Sequence, residues 1–277
     1  MKSNFTIKYF FVFVCLFVFA GSINAQKWEH GIAIGGSNYQ GDLAKRIVLS
    51  ESHMAYGLFS RYNINDYWSF RGALQYGKIS GSDEHFEEYK YRNLNFQSDI
   101  WELSGIWEFN FLPFGTNPLT NDLTSYAFVG LSGFRFNPKA LYKDELHELK
   151  PLRTEGQTNK NMYGLVQLAI PFGGGIKYSI SDNWVFGVEL GWRKIFTDYL
   201  DDVSTTYQDR AEQIAARGQL SADLSDRSWE VEGVGEPLAA KGNMRGDPNL
   251  KDWYIFSMFS LSYRLTPIQC WPKKSRY

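Results

Sequence analysis

The sequence predicts an all-β protein, an eight-stranded antiparallel transmembrane β-barrel with long extracellular loops and a short helix in the last loop. Three observations predict this fold. Eight segments of roughly 10–14 residues alternate apolar and polar side chains, as tilted membrane-spanning strands do. One face of these segments is rich in Trp, Phe, Tyr, Leu and Ile, whereas the solvent face of a soluble sheet would be polar. Beyond the N-terminal segment, no apolar run is long enough for a membrane-spanning helix.

The N-terminal segment 1–25 has the pattern of a signal peptide. Two lysines lead into an apolar run at 9–20, and small residues then end at Ala25, the expected last residue before cleavage. Cleavage would leave 27 of the 29 basic residues against 30 acidic ones, a net charge of about −3. This balance gives no reason to expect nucleic acid as a partner. Cys270 would be the only remaining cysteine, so no internal disulfide is expected.

Eight strands can be placed in order along residues 26–265, the expected barrel. They are 31–39, 54–63, 67–79, 98–111, 125–137, 168–180, 184–196 and 252–265. Residues 197–251 form a long loop insertion before the last strand, and residues 266–277 form a periplasmic tail. Three glycines at 173–175 lie inside the sixth strand, without the helix that a phosphate-binding loop needs. They therefore predict a bend or a close approach of strands.

The connections between the strands differ in length on the two sides of the barrel. After the second and sixth strands the chain turns within a few residues, at 63–66 and 181–183, while the connections after the odd strands are long. Outer-membrane barrels show this asymmetry, with long loops outside and short turns in the periplasm. The sequence therefore predicts an outer-membrane location, with lipid against the outer face and both termini on the periplasmic side.

Charged residues recur on the opposite face of the strands, which is expected to line the barrel interior. They are Arg61, Arg71, Glu102, Glu108, Arg135, Lys177, Glu189, Arg193 and Arg264. Eight strands enclose only enough space for side chains to fill. Charges in so narrow a space are expected to pair, because an unpaired buried charge is strongly unfavourable. We therefore favour a plug of salt bridges over the alternative, an ion path.

The sequence offers little support for catalysis or for a cofactor. His30, His53, His85 and His147 have no metal-ligand spacing with one another or with a cysteine, and no two share a predicted strand. A hydrolase would need a nucleophile, a base and an orienting group at one membrane level, and no such set stands out. We expect no catalytic residue and no cofactor, and the sequence identifies no small-molecule substrate.

The insertion 197–251 is the most unusual segment. It contains eleven acidic and six basic residues, a local net charge of −5. A short helix is expected at 208–217, ended by Gly218.

Four aspartates near the two ends of this insertion admit two interpretations. They are Asp198, Asp201, Asp202 and Asp247. Carboxylates are the hard oxygen ligands that calcium prefers, yet their spacing matches no dedicated calcium loop. Aspartates that cap turns are the more common explanation, so no metal is assigned.

The two ends of the insertion, 197–207 and 245–254, are expected to meet at the barrel rim, because they continue from neighbouring antiparallel strands. The aspartates there would cap turns or pair with Arg245, while residues 221–241 would be more mobile. This rim is expected to form a surface for assembly. Its residues are Asp198, Tyr199, Asp201, Asp202, Arg245, Asp247 and Trp253.

Three segments also resemble a known family. They are Gly-Ser-Asn-Tyr-Gln-Gly-Asp-Leu at 36–43, the stretch 197–207, and Arg-Gly-Asp-Pro at 245–248 leading into Asp-Trp-Tyr at 252–254. In matching order across nearly the whole mature chain, they are similar to the PorG-type outer-membrane barrels of Bacteroidota. Those barrels are associated with the type IX secretion system and, in some members, with gliding motility.

The resemblance implies a non-enzymatic component that anchors or organises the periplasmic ring of the secretion apparatus, with proteins of that ring as partners. It supplies no catalytic residues to carry over. Similar barrels without that role occur in the same bacteria. A general small outer-membrane barrel for surface binding or envelope stability is therefore the alternative.

Overall fold

The computed structural model describes residues 27–115 and 120–265. The expected signal peptide 1–25, its cleavage site and the expected periplasmic tail 266–277 lie outside the described residues. Among the residues that are described, no helix is both long enough and apolar enough to cross a membrane.

Eight strands form a closed barrel, and two more form a hairpin beside it. In chain order they are β1 (Trp28–Gln40), β2 (His53–Asn63), β3 (Trp68–Ser82), β4 (Asn95–Asn110), β5 (Leu123–Arg135), β6 (Lys139–Tyr142), β7 (Glu145–Glu148), β8 (Val166–Ser179), β9 (Trp184–Ile195) and β10 (Trp253–Arg264). The barrel runs β3-β2-β1-β10-β9-β8-β5-β4 and closes where β3 pairs with β4. Every neighbouring pair is antiparallel. The predicted eight-stranded antiparallel barrel is confirmed.

The two faces of the strands separate as their alternation predicts. In β3, Trp68, Phe70 and Leu74 are exposed, whereas Arg71 and Gln75 are buried. In β4, Trp101 and Trp107 likewise point outward and Glu102 inward, and in β9 Phe186 points outward and Glu189 inward. A closed barrel leaves no unpaired strand edge, and an apolar outer belt is the surface that the hydrocarbon of a bilayer requires. The protein is a transmembrane β-barrel of the outer-membrane kind.

The two ends of the barrel differ. At one end the chain turns tightly between β2 and β3 and between β8 and β9. At the other end lie the loops 41–52, 83–94, 136–165 and 196–252, which we call the cap. The hairpin of β6 and β7 lies in the cap and joins the barrel sheet where Gln97 pairs with Lys139. The sequence did not predict this hairpin.

Short helices complete the cap. Helix α1 (Leu149–Leu152) follows β7, and α2 (Arg210–Arg217) begins after Asp209, whose side chain accepts a hydrogen bond from the Glu212 amide at 2.9 Å. Gly218 ends α2 with a φ of 89°, a conformation that glycine adopts without strain. The predicted short helix is therefore confirmed.

A further helix, α3 (Gln219–Ser225), was not predicted. Residues 221–228 are all buried, and the Ser225 hydroxyl donates to the Thr154 carbonyl at 2.6 Å. This packing contradicts our expectation of mobility for the first part of 221–241.

The upper barrel and the cap share one hydrophobic core. Phe134 and Tyr254 reach it from barrel strands, Phe136 and Leu200 from the bases of two loops, and Leu224 from α3. Because side chains from strands and loops pack together, the cap is held on the barrel by tertiary contacts and not only by its covalent connections.

Candidate functional site

Buried ion pairs cross the lumen nearest the short-turn end. Glu108 of β4 contacts three cations from other strands: Arg61 at 2.8 Å, Arg71 at 2.8 Å and Lys177 at 2.5 Å. Arg71 also contacts Glu189 at 2.7 Å. These side chains come from β2, β3, β4, β8 and β9, so their contacts span the interior rather than follow one wall.

A second group lies closer to the cap. Arg193 donates to Glu102 at 3.2 Å, to Gln75 at 2.8 Å and to the Gly191 carbonyl at 2.7 Å. The Tyr254 hydroxyl donates to the same Glu102 carboxylate at 2.6 Å. Arg193 and Glu102 are fully buried, so the pair is held away from solvent.

Glu29 belongs to the lumen network, although the sequence analysis did not select it. It contacts Arg61, accepts a hydrogen bond from the Ser262 hydroxyl at 2.6 Å and lies 3.7 Å from Arg264. Its position in β1, two residues before Gly31, could have been read as inward, but the mixed faces of that strand hid the signal.

Arg135 does not belong to the network, and its predicted inward position is wrong. It is exposed at the end of β5, opposite Trp101 of β4 and Val166 of β8. The interior positions of this segment are taken by Phe134 and Phe136, which are buried in the core. Strand alternation therefore places Arg135 outside, where its long side chain can reach the polar edge of the membrane.

The predicted close approach at the three glycines is confirmed. A Cβ on Gly173 would lie 2.2 Å from the Leu190 carbonyl oxygen, and one on Gly175 would lie 2.2 Å from that of Val188. The Phe128 and Tyr126 rings cover the same two glycines from inside the lumen. Side chains here would separate β8 from β9 and displace rings that fill the interior.

At the cap end, Tyr39 joins the two ends of the long insertion. Its hydroxyl lies 2.6 Å from the Asp201 carboxylate and 2.9 Å from that of Asp252, and all three residues are almost completely buried. The Leu200 amide donates to Asp252 at 3.0 Å, and the Arg245 amide donates to the Thr205 carbonyl at 2.8 Å. The predicted meeting of 197–207 with 245–254 is confirmed.

The proton count around Tyr39 constrains the charge of this cluster. A tyrosine hydroxyl has one proton, so it can donate to only one of two carboxylates. The second contact needs a proton on a carboxyl group. Burial raises the pKa of both Asp201 and Asp252 well above the usual range, with further repulsion from Asp42 on Asp201 and from Asp201 on Asp252, in agreement with this count. Burial also raises the pKa of neighbouring Asp42 to about 6.

Arg245 does not pair with the aspartates of the insertion, so that alternative is wrong. Its guanidinium pairs with Glu155 at 3.1 Å and donates to the backbone carbonyl of Asp202. Glu155 also accepts hydrogen bonds from the Ser204 amide at 2.8 Å and the Thr205 hydroxyl at 2.6 Å. The sequence analysis missed Glu155, because it lies in the loop 136–165, which is far away in sequence.

Asp202 is satisfied by the same neighbouring loop. Its carboxylate accepts hydrogen bonds from the Thr154 hydroxyl at 2.5 Å and the Tyr163 hydroxyl at 2.6 Å. The backbone of Asp202 has a φ of 66°. Burial raises the pKa of Asp202 to about 6. Tyr199 stacks on Tyr163 with the ring centroids 5.0 Å apart.

The remaining predicted rim residues take separate roles. Asp198 accepts a hydrogen bond from the Ser204 hydroxyl at 2.7 Å, and Asp247 caps the Asn249 amide at 3.0 Å. Trp253 packs against the Phe172 ring on the outer surface, apart from the cluster. Within residues 27–115 and 120–265, no three His, Cys, Asp or Glu side chains are placed to hold one metal ion. The aspartates act here as turn caps and hydrogen-bond acceptors.

One constellation near the cap contains the side-chain types of a hydrolase. His53 lies 2.7 Å from the Ser80 hydroxyl, and Glu51 contacts both Ser80 and His85. In a nucleophilic triad the carboxylate orients the histidine, which in turn activates the serine. Here the carboxylate accepts from the serine itself, and Ser80 is buried. The arrangement anchors the loop 41–52 to β3 and does not present a nucleophile.

Comparison with known proteins gives the following matches. No curated protein matches the chain. Among solved structures, Ail of Yersinia pestis, in complex with the heparin analogue sucrose octasulfate, is 10% identical with a TM-score of 0.39, over 86% of this chain and 98% of Ail. Neisserial surface protein A is 8% identical with a TM-score of 0.42, over 86% and 96%. OprG from Pseudomonas aeruginosa is 8% identical with a TM-score of 0.36, also over 86% and 96%.

A protein-family model matches residues 8–225, most of the chain. Its description is "Domain of unknown function (DUF6089)". The chain belongs to this family.

Proposed function

We propose that this protein is a non-conducting, non-enzymatic barrel of the outer membrane whose ordered extracellular cap serves surface binding or envelope stability. The observation that carries the proposal is the lumen network. The carboxylates of Glu29, Glu102, Glu108 and Glu189 each contact a cation from another strand, and all four are buried. Opening an ion path through them would leave buried charges unpaired, at a large cost.

The packing of the cap supports the binding part of the proposal. Arg245 and Glu155 link the two longest loops, and Tyr39 links the last loop to the first barrel strand. Loops fixed by buried contacts present a surface that loses little conformational entropy when a partner binds. A cap that served only as a flexible cover would not need these contacts.

A second candidate function is a role in a type IX secretion apparatus, anchoring or organising its periplasmic ring. What supports it is the resemblance of three segments to PorG-type barrels, together with the contacts between those segments. Tyr39 from the first segment contacts Asp201 from the second and Asp252 from the third. The Asp247 amide donates to Asp42 at 3.0 Å, which joins the first and third segments again.

Complementation of a deletion strain separates the two candidates. The strain would carry the wild-type protein, Asp201→Ala/Asp202→Ala, or the isosteric control Asp201→Asn/Asp202→Asn. Surface binding or envelope stability predicts altered detergent sensitivity with normal type IX secretion in the Ala variant. A secretion role predicts reduced secretion with the barrel still inserted, and crosslinking from intact outer membranes would then capture periplasmic ring proteins. Normal secretion and normal detergent resistance at wild-type protein levels would contradict both.

A further inference from the structure

An open cavity of about 460 Å³ lies among three loops of the cap. The loops 41–52, 83–94 and 196–252 all contribute side chains to it. We call it the cap cavity. Its volume is within the range of sites that bind small ligands.

Arg92 fixes the three loops around the cavity. Its guanidinium donates to Asp83 at 2.6 and 2.8 Å, to the Asp42 carbonyl at 2.8 Å and to the Arg245 carbonyl at 2.7 Å. One side chain thus ties together the backbone of the first loop, the second loop and the last loop. The cavity is therefore formed before any ligand arrives, which lowers the ordering cost of binding.

Exposed apolar side chains line the cavity. Leu238 is 57% exposed, Met244 60% and Leu250 43%, and Tyr91 of the loop 83–94 is 60% exposed. Isolated exposed apolar residues are common, but several lining one cavity mark a binding surface. Tyrosine, methionine and arginine, which recur here, are also enriched in protein–protein interfaces.

The open charge of the cavity is mainly negative. Arg92 forms an ion pair with Asp83, and Arg245 forms one with Glu155. In contrast, no ion pair joins the exposed carboxylates of Glu88 and Asp247 to another side chain among the described residues. They are matched only by Lys45, whose ammonium lies 4.7 Å from the centroid of the Tyr89 ring. A ligand that carries positive charge would complement these carboxylates.

We propose that the cap cavity binds an extended segment of another protein in which a lysine or arginine lies beside apolar side chains. The basic group meets the exposed carboxylates of Glu88 and Asp247, and the apolar side chains pack on Leu238 and Met244. This inference rests on the surface-binding role proposed above and names its partner class. A surface saccharide is the competing ligand class.

Peptide selection on the intact protein tests the inference. The mature chain in lipid nanodiscs would be presented with phage-displayed random dodecapeptides, and synthetic versions of enriched peptides would be titrated by calorimetry. We expect a basic residue next to apolar ones in the consensus, with affinity that falls as salt rises. Glu88→Gln/Asp247→Asn and, separately, Leu238→Ser should weaken binding about tenfold or more.

Matched controls lie on the same cap outside the cavity. Glu232→Gln/Glu236→Gln removes two exposed carboxylates, and Leu146→Ser removes an exposed leucine of β7, so both should bind like wild type. An acidic consensus, no enrichment, or binding that the cavity variants leave unchanged would overturn the proposal. The proposal would also be overturned if purified lipopolysaccharide bound the protein, the cavity variants weakened that binding, and no peptide bound. None of these outcomes bears on the sealed barrel. Failure of the proposed function would instead appear as ion conductance through the barrel or as loss of order in the cap.

Discussion

The Tyr39 hydroxyl shows how one residue sets the charge state of the cap. It lies between the buried carboxyl groups of Asp201 and Asp252 with a single proton to donate. At least one carboxyl group must therefore be protonated for both hydrogen bonds to form. The sequence could indicate that these aspartates cap turns, but not that Tyr39 would contact them. That contact depends on the pairing of β1 with β10, which brings distant parts of the chain together.

This charge state predicts that acid stabilises the cap. A carboxyl group whose pKa is higher in the folded state binds more protons when folded, so stability falls as the pH rises from the unfolded pKa of about 3.9 through the folded pKa. For Asp42 and Asp202 the folded pKa is about 6, and burial also raises the pKa of Asp201 and Asp252 well above the usual range. Amide hydrogen exchange in the cap, corrected for its chemical rate, should show protection decreasing between about pH 4 and pH 7.

The isosteric double variant Asp201→Asn/Asp252→Asn is the control for this pH dependence. Asparagine keeps the hydrogen bonds of a protonated carboxyl group, so protection should vary less with pH than in the wild type. Protection that rises with pH in the wild type, or an unchanged pH profile in the variant, would contradict the shared-proton account.

The lumen predicts unequal effects of two glutamates. Glu108 contacts three cations, while Glu189 contacts Arg71 and the Tyr126 hydroxyl. Breaking a buried pair costs about 3–5 kcal/mol, so Glu108→Gln should lower the free energy of unfolding by that order, and Glu189→Ala by less. Urea titration in lipid vesicles, followed by tryptophan fluorescence, would measure both against the exposed control Glu145→Gln. Equal stability of all three variants would refute a network centred on Glu108.

At the scale of elements, the strands could be predicted, whereas in the cap only the short helix and the meeting of the two ends of the insertion could. Alternation identified the membrane strands because one face must meet lipid and the other a polar lumen, a constraint that repeats every second residue. The short β6 and β7 lack such a repeat, and their turn uses Lys143 and Asp144 at φ of 49° and 63° instead of glycine. Arg135 was misplaced because β5 carries apolar residues on both faces. At the cap end of β5, the inward-facing residues belong to the core shared with the cap and not to the polar lumen.

The link between the two longest loops predicts a local effect of Arg245. Arg245→Ala would leave Glu155 without its cation, so the loops 136–165 and 196–252 should lose about 3–5 kcal/mol of local stability. Hydrogen exchange should accelerate in both loops while the strands keep their protection. The exposed ion pair of Lys241 with Glu212 provides the control, because Lys241→Ala should change little. Acceleration confined to the loop 196–252 would show that Arg245 does not join the two.

For the whole molecule, the barrel and its cap form one packed body. The core continues from the upper lumen into the loops, and the ion pairs fill the lower lumen. The sequence predicted the closed barrel and most of the lumen charges because both follow from local alternation. It could not predict Glu29, Glu155 or Arg92 as partners, because those contacts depend on how distant loops and strands meet in three dimensions.

Conductance of the purified protein in planar lipid bilayers tests the central claim, a lumen sealed by buried ion pairs, most directly. The account predicts no steady current through the wild-type barrel at moderate voltage and salt, because any path must separate Glu108 and Glu102 from their cations. Glu189→Ala should likewise destabilise the barrel without opening a useful channel. A steady, ion-selective conductance through the wild-type monomer would contradict the account.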